Sequence, residues 1–348
     1  MQLTEPVPLD ALEPVPDWLR FSEPGAHLPA VADALASAWS PGVEAPRVLG
    51  LGPDDEPLLA QLSERGCETL RVPWRELGAR SATPRPAAIH QLLAGDAVRG
   101  IRERGGVRLV AARYLLEHAP DAGVFLQALE ALLEPGGAVV FEVPDCSQAF
   151  LTRDYTTLWE EHVFYFTPGS LQRALVARGW RVESVRSYAN PLHNALVVVA
   201  RPGGTPVPGV VPDAERALSD GFAAAWPATR DRVRGWCDAQ VAAGSRLALF
   251  GAGHVGLTFL VAMGIEGLLT CAIDDSPAKQ GLLLPGTALE VRGSASLKEG
   301  DVSTLLLAVS PSAEAAVLGR LADFLGRGGQ VVSIFPGSPL ALPALQGA

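Results

Sequence analysis

The stretch DYTTLWEEHVFYFTPGSLQ (154–172) concentrates more reactive chemistry than any other part of the chain. Tyr155, Trp159, Glu160, Glu161, His162, Phe164, Tyr165 and Phe166 fall within twelve positions, ahead of a helix that Thr167 or Ser170 is placed to cap. A histidine flanked by carboxylates and aromatic rings can be held in one tautomer with its pKa near neutrality, which suits a general base. The plainer alternative is a solvated helix end stapled by aromatic packing.

Two glycine turns offer places for a ligand. The first, Val48–Gly52 followed by Pro53, Asp54 and Asp55, leads from a strand into a helix. Glycines there let the backbone approach a ligand, and the helix start offers free N–H groups. A tight connection with no ligand fits the same residues. The second turn, Gly251-Ala252-Gly253-His254-Val255-Gly256, is a full G-x-G-x-x-G with Asp274 and Asp275 about twenty residues on. Taken alone it suits a dinucleotide such as NAD. Against that, no downstream segment supplies a clear second mononucleotide half. Glycines that serve the turn of a Rossmann-like packing module explain it equally.

The elements that must hold these residues alternate between strand and helix. Leu28–Trp39 has helical spacing, RVLGLG (47–52) is a buried strand entering its turn, and a helix follows over 56–65. TLRV (69–72), VRLVAAR (107–113) and AVVFEVP (138–144) read as strands, with an amphipathic helix over 123–133 ended by Pro135-Gly136-Gly137. WRVESVRSY (180–188) and NALVVVARP (194–202) suit a closing antiparallel pair. After a Pro/Gly-rich linker (201–212) and a helix-prone segment (213–243), a second unit begins. There 246–264 reads as strand, turn and helix, followed by strands at CAIDD (271–275), TLLLAVS (304–310) and QVVSIFP (330–336), with a helix over 313–326. The pattern predicts an α/β protein with parallel βαβ units in two Rossmann-like domains. The expected divisions are an extended lead-in over 1–25, a first domain over 26–203, linker and helix over 204–243, and a second domain over 244–348.

Composition narrows the partners. The 348 residues carry 38 acidic against 28 basic side chains, a net charge of −10, and no basic run. Nucleic acid is therefore not an expected partner. Apolar runs are strand-sized and the first residues lack a leader pattern, so the expectation is a cytoplasmic protein with no membrane partner. Four scattered cysteines, Cys67, Cys146, Cys237 and Cys271, form no C-x-x-C pair and read as small buried hydrophobes. Oligomeric state is left open.

With these residues in hand, the chain resembles the bacterial SAM-dependent C-methyltransferases (SAM, S-adenosylmethionine) that act on nucleotide-linked deoxysugars, from about residue 20 to 340. Gly50-Leu51-Gly52-Pro53-Asp54-Asp55-Glu56-Pro57-Leu58 stands where that family has its SAM turn, E-I-G-S-N-D-G-x-L. ARYLLEHAPDAGVFL (112–126) is similar to the family's A-R-H-V-L-E-H segment, and LEPGGAVVFEVPDC (133–146) to the strand that follows it. YTTLWEEHVFYFTPGSL (155–171) resembles the stretch with the family's catalytic histidine. FGAGHVG (250–256) and IDDSPAKQGLLLPGT (273–287) resemble its C-terminal domain, whose D-x-x-x-K-Q-G…P-G-T pattern is distinctive and displaces the NAD reading.

The resemblance implies a class I methyltransferase domain followed by a smaller Rossmann-like domain, and carbon methylation beside a ketone. His162 would remove the acidic proton, Glu161 would orient it, and Tyr165 would stand beside it. Gly50, Gly52, Asp54, Asp55, Tyr114 and Leu115 would hold SAM. Tyr155, Asn194, His254 and Lys279 would face the substrate, a small molecule of the nucleotide-sugar kind. Departures stand beside these matches. The family's N-terminal zinc-binding segment with paired C-x-x-C motifs is absent, so no metal is expected. Gly50 replaces an acid, Glu56 replaces a second glycine and could crowd the cofactor, and Val72 stands where an acid holds the ribose hydroxyls. Trp18-Leu19-Arg20-Phe21-Ser22 replaces a tyrosine-rich approach. Methyl transfer leads the readings. Behind it stand proton transfer at His162 without SAM, a non-catalytic partner role, and NAD binding.

Overall fold

The structure is a computed structural model that describes residues 25–38, 46–82, 84–159, 161–190 and 193–346. The expected lead-in, the 18–22 segment and Glu160 lie outside the described residues. The chain forms two compact units. Among the described residues one takes 25–147 and 161–211, the other 148–159 and 212–346. A division that is continuous in sequence therefore misses one piece, because 148–159 groups with the second unit.

The first unit is built on six strands: β1 (Arg47–Gly50), β2 (Glu68–Arg71), β3 (Val107–Arg113), β4 (Leu133–Asp145), β5 (Trp180–Tyr188) and β6 (Asn194–Pro202). Their spatial order is β2-β1-β3-β4-β6-β5. All pairings are parallel except the two made by β6. Crossover connections of helix length explain the parallel part, and β6 is the return arm of the closing pair.

Both faces of this sheet are covered, which is why its strands read as apolar runs. Leu49, Val110, Phe141 and Val143 pack on one face with Ile89, Phe125, Leu129, Leu171 and Leu175. Those come from α3 (Pro86–Leu93), α5 (Ala122–Leu132) and α7 (Pro168–Val176). Val48, Leu109, Ala111 and Val140 face the other way, onto Leu28, Val31, Leu58 and Leu59 of α1 (Leu28–Ser37) and α2 (Glu56–Glu64). Each such fully buried side chain contributes about 1.5–3 kcal/mol relative to exposure. Successive residues of a strand point to opposite faces, so both core layers draw on the same apolar runs.

The second unit carries α8 (Asp213–Ala242), which buries only the narrow stripe Phe222, Thr229, Val233 and Cys237, and a parallel sheet in the order β11-β10-β7-β8-β9. Its strands are β7 (Leu247–Phe250), β8 (Leu269–Ile273), β9 (Val291–Arg292), β10 (Thr304–Leu307) and β11 (Gln330–Ser333), and α9 (His254–Met263) follows β7. The helix expected over 313–326 is two, Pro311–Arg320 and Ala322–Gly326, broken at Leu321. All four cysteines are buried thiols. Among the described residues no helix is long and apolar enough to cross a membrane.

Candidate functional site

The first glycine turn is held by its own aspartate. Asp55, fully buried, accepts hydrogen bonds at Oδ2 from the N–H groups of Leu51 and Gly52, both at 2.8 Å, and at Oδ1 from the N–H of Arg113 at 2.9 Å. Burial pushes its carboxyl up to about 7 against those donors and the Arg113 charge. Asp55, expected in the cofactor site, therefore fixes the shape of the turn from within. Gly50 also has a packing role. A Cβ there would lie 2.7 Å from Leu59 Cδ1, so this glycine lets α2 seat on β1.

Beneath the turn lies a buried ionic cluster that the sequence reading missed. Arg113 donates from Nε and Nη2 to the two oxygens of Glu142, at 2.7 and 3.0 Å, and from Nη1 to the carbonyl of Asp54. His27 Nε2 meets Glu142 Oε1 at 2.9 Å. Burial alone would raise the Glu142 carboxyl, but the hydrogen bonds from His27 and Arg113 overcome it and hold it at about 2. Tyr114, in the left-handed region at φ 52°, donates its N–H to the Glu142 carbonyl at 2.7 Å. The Arg113–Glu142 pair thereby ties β3, β4 and the turn into one rigid platform.

The histidine segment folds back onto the end of β3. A short 3-10 turn, Leu116–His118, follows β3, and the carbonyl of Glu117 accepts the N–H groups of Val163 and Phe164 at 2.7 and 3.0 Å. This staple brings the rings of His118 and His162 to 4.7 Å between centroids, edge to face at 83°. Tyr165 is buried, with its ring 5.8 Å from His162. His118 Nδ1 lies 3.1 Å from the carbonyl oxygen of Glu161, which can only accept, so Nδ1 carries the proton. Burial lowers the His118 pKa to about 3, and the nearby His90 adds to the effect. The Glu161 carboxylate lies 3.9 Å from His118 Nδ1 and 3.4 Å from Arg85 Nη1, so the acid expected to orient His162 is also the anchor of His118. Thr167 caps α7 as expected, reciprocally with Ser170.

Glu117, His118 and His162 converge, with one donor atom of each within 4.8 Å of the others. Neither Glu117 nor His118 was singled out from sequence. The signal was there, because the chain has six histidines and two of them follow a glutamate in identical Glu-His pairs, 117–118 and 161–162.

In the second unit the expected substrate residues have internal partners. Tyr155 is buried against Phe222, and its hydroxyl donates to the Phe222 carbonyl at 2.7 Å. His254 stacks on Trp159 at 3.6 Å and bonds Thr258 at 3.1 Å. Lys279 Nζ donates to the Ala252 carbonyl at 2.9 Å and to Asp274 Oδ2 at 3.1 Å. Asp274 also accepts the Ala252 N–H, and Asp275 is taken by the Ser294 N–H and Arg320. Of the two acids placed to grip a ribose, Asp274 therefore locks the glycine turn and Asp275 is held by Ser294 and Arg320. A Cβ on Gly256 would strike the Gly251 carbonyl at 2.8 Å, so its glycine serves helix–strand packing. This favours the packing-module reading over NAD. Asn194 lies in the first unit, paired with Asp145 at the start of β6.

Two family matches agree with this geometry. Residues 25–185 match a methyltransferase domain, and residues 214–336 match the C-methyltransferase C-terminal domain. The chain is a SAM-dependent methyltransferase that carries the C-terminal domain of C-methyltransferases. It is 27% identical over 330 residues to the C-methyltransferase NovU of Streptomyces niveus, covering 90% of this chain and 71% of that one. Solved structures include the 1,6-didemethyltoxoflavin-N1-methyltransferase of Burkholderia thailandensis, at 18% identity and TM-score 0.35, covering 51% of this chain and 77% of that one. Another is the glycopeptide N-methyltransferase MtfA, at 15% identity and TM-score 0.33, covering 53% and 92%. At such scores the fold rests on the strand order and the two domain matches.

In this C-methyltransferase the first turn fits the cofactor by one observation. A Cβ placed on Gly52 would touch Ile89 Cδ1 at 3.6 Å and both Asp55 Oδ2 and Leu115 Cδ2 at 3.9 Å, so the bare glycine leaves a small cradle between two apolar side chains and a carboxylate edge. Trp74 closes the same corner, donating its indole N–H to the Leu51 carbonyl at 2.7 Å. Glu56 is paired with Arg71 through two bonds of 2.6 Å, so its carboxylate is turned to β2. Val72 is buried and offers the ribose no acceptor.

Proposed function

We propose that this enzyme methylates the carbon next to a ketone, on a nucleotide-linked keto-deoxysugar, with His162 as the base. The observation that carries the reading is the His162 ring set edge to face against a largely buried His118 whose tautomer is fixed. A neutral neighbour leaves His162 free of a like charge when it takes up a proton. SAM, when bound, supplies an electrophilic methyl group on its sulfonium sulfur. His162 would take the α-proton of the ketone, breaking the C–H bond, and the enolate carbon would form the new C–C bond as the methyl's bond to sulfur breaks and S-adenosylhomocysteine leaves. A positioned base of this kind supplies about 10²–10⁴-fold.

The other residues act around that step. Tyr165 packs beside His162 and limits its rotation, while Glu161 fixes His118 through its carbonyl. Gly52, Leu115, Ile89 and Trp74 would receive the cofactor, and the Arg113–Glu142 platform keeps their turn rigid. Asn194 is the substrate-side candidate in the first unit.

Val72 favours one alternative, proton transfer at His162 without methylation. Calorimetric titration of the full chain with S-adenosylhomocysteine separates the two. Methyl transfer predicts saturable binding, and no heat up to about 1 mM would leave proton transfer alone.

A further inference from the structure

We propose that Glu117, His118 and His162 form a binding site for one divalent transition-metal ion of the zinc class. Two imidazoles and a carboxylate are the donor set that borderline ions prefer, with positions left open for solvent. The three donor atoms already lie within 4.8 Å of one another. Metal–ligand bonds of about 2.0–2.2 Å place neighbouring ligands about 3–3.5 Å apart, so side-chain rotations of about an ångström complete the set.

Two further features match a built site. His118 gives its Nδ1 proton to the Glu161 carbonyl at 3.1 Å, which directs the Nε2 lone pair away from that bond. A ligating histidine is commonly oriented by such a backbone acceptor on its other nitrogen. The backbone around the donors is also fixed in advance. The Glu117 carbonyl holds the N–H groups of Val163 and Phe164, so the segment with His162 is stapled to the turn with the other two ligands. The carboxylate of Glu117 is buried, and it would neutralise part of the ion's charge where water cannot.

The site has a functional consequence. One imidazole lone pair cannot hold a metal and accept a proton together, so an occupied site has no base. Zinc-class ions therefore suppress proton abstraction by His162, and chelators restore it.

Cobalt(II) titration of the chelator-treated full chain tests the site directly, with neither cofactor nor substrate present. Its outcome is thus independent of methyl transfer. The expected result is a ligand-field absorption band that saturates at one equivalent, and zinc should displace it. His118→Ala and Glu117→Gln should each weaken binding at least about tenfold. His162→Asn, at a partly exposed position, keeps the fold testable should a buried variant fail. Zinc should raise the Tm of the wild type and leave that of His162→Asn unmoved. No saturable band in the wild type, or a band equally strong in His162→Asn, overturns the proposal.

Discussion

The imidazole of His118 donates its Nδ1 proton to the carbonyl oxygen of Glu161, 3.1 Å away across 43 residues of sequence. In the proposed mechanism this bond makes His118 a positioning residue for His162, whose ring rests against it. His118→Asn should lower kcat about tenfold or more with little change in KM, and should shift the pH profile of the reaction. A purely structural role would instead lower stability and leave the profile of the surviving enzyme unchanged.

Glu142 sets the acid limit of the first unit. Its carboxyl falls from an ordinary 4.5 to about 2 in the folded chain. Stability from this group is complete above pH 4.5 and is lost as pH falls through 2, in all about 3 kcal/mol. Denaturant titrations between pH 5 and 2 should show this decline. Glu142→Gln should remove it while costing about 3–5 kcal/mol at neutral pH, since Arg113 is left buried with its charge uncompensated.

Gly50 looks like a lost acid in sequence and is a packing glycine in the fold. Gly50→Glu, which restores the residue type of the related turn, should destabilise the chain by about 1–3 kcal/mol, because its Cβ meets Leu59 Cδ1 at 2.7 Å. Affinity for S-adenosylhomocysteine should not improve. Chemical denaturation and calorimetry on the same sample decide both points.

Val72 is the opposite case, an apolar residue where the ribose hydroxyls would find no acceptor. Val72→Asp should tighten S-adenosylhomocysteine binding about tenfold, the worth of about 1–3 kcal/mol of recovered hydrogen bonding. An unchanged dissociation constant would place the ribose elsewhere.

The sequence pattern located the strands well, with β3, β5 and β6 starting and ending at the expected bounds. It also drew attention to His162, through a Glu-His pair set amid aromatic residues. What it missed are partnerships across long separations. Nothing near Arg113 announces Glu142, 29 residues on, and nothing near Asp274 shows that its carboxylate turns back on Ala252 and Lys279. The helices α3 and α4 (Ala97–Arg102) between β2 and β3 also went unassigned, since Pro, Arg and Gly interrupt their pattern. Tyr155 is another such case, because its hydroxyl, which suggests chemistry in sequence, satisfies a buried carbonyl.

Labelled methyl transfer tests the central claim most directly. The full chain is given methyl-¹³C SAM and a panel of nucleotide-linked keto-deoxysugars, and the products are read by carbon NMR. The account predicts a labelled methyl bonded to the carbon beside the ketone, formed by the wild type and slower by about 10²–10⁴-fold in His162→Gln. A label found on oxygen or nitrogen, or transferred at equal rate by the variant, would contradict it.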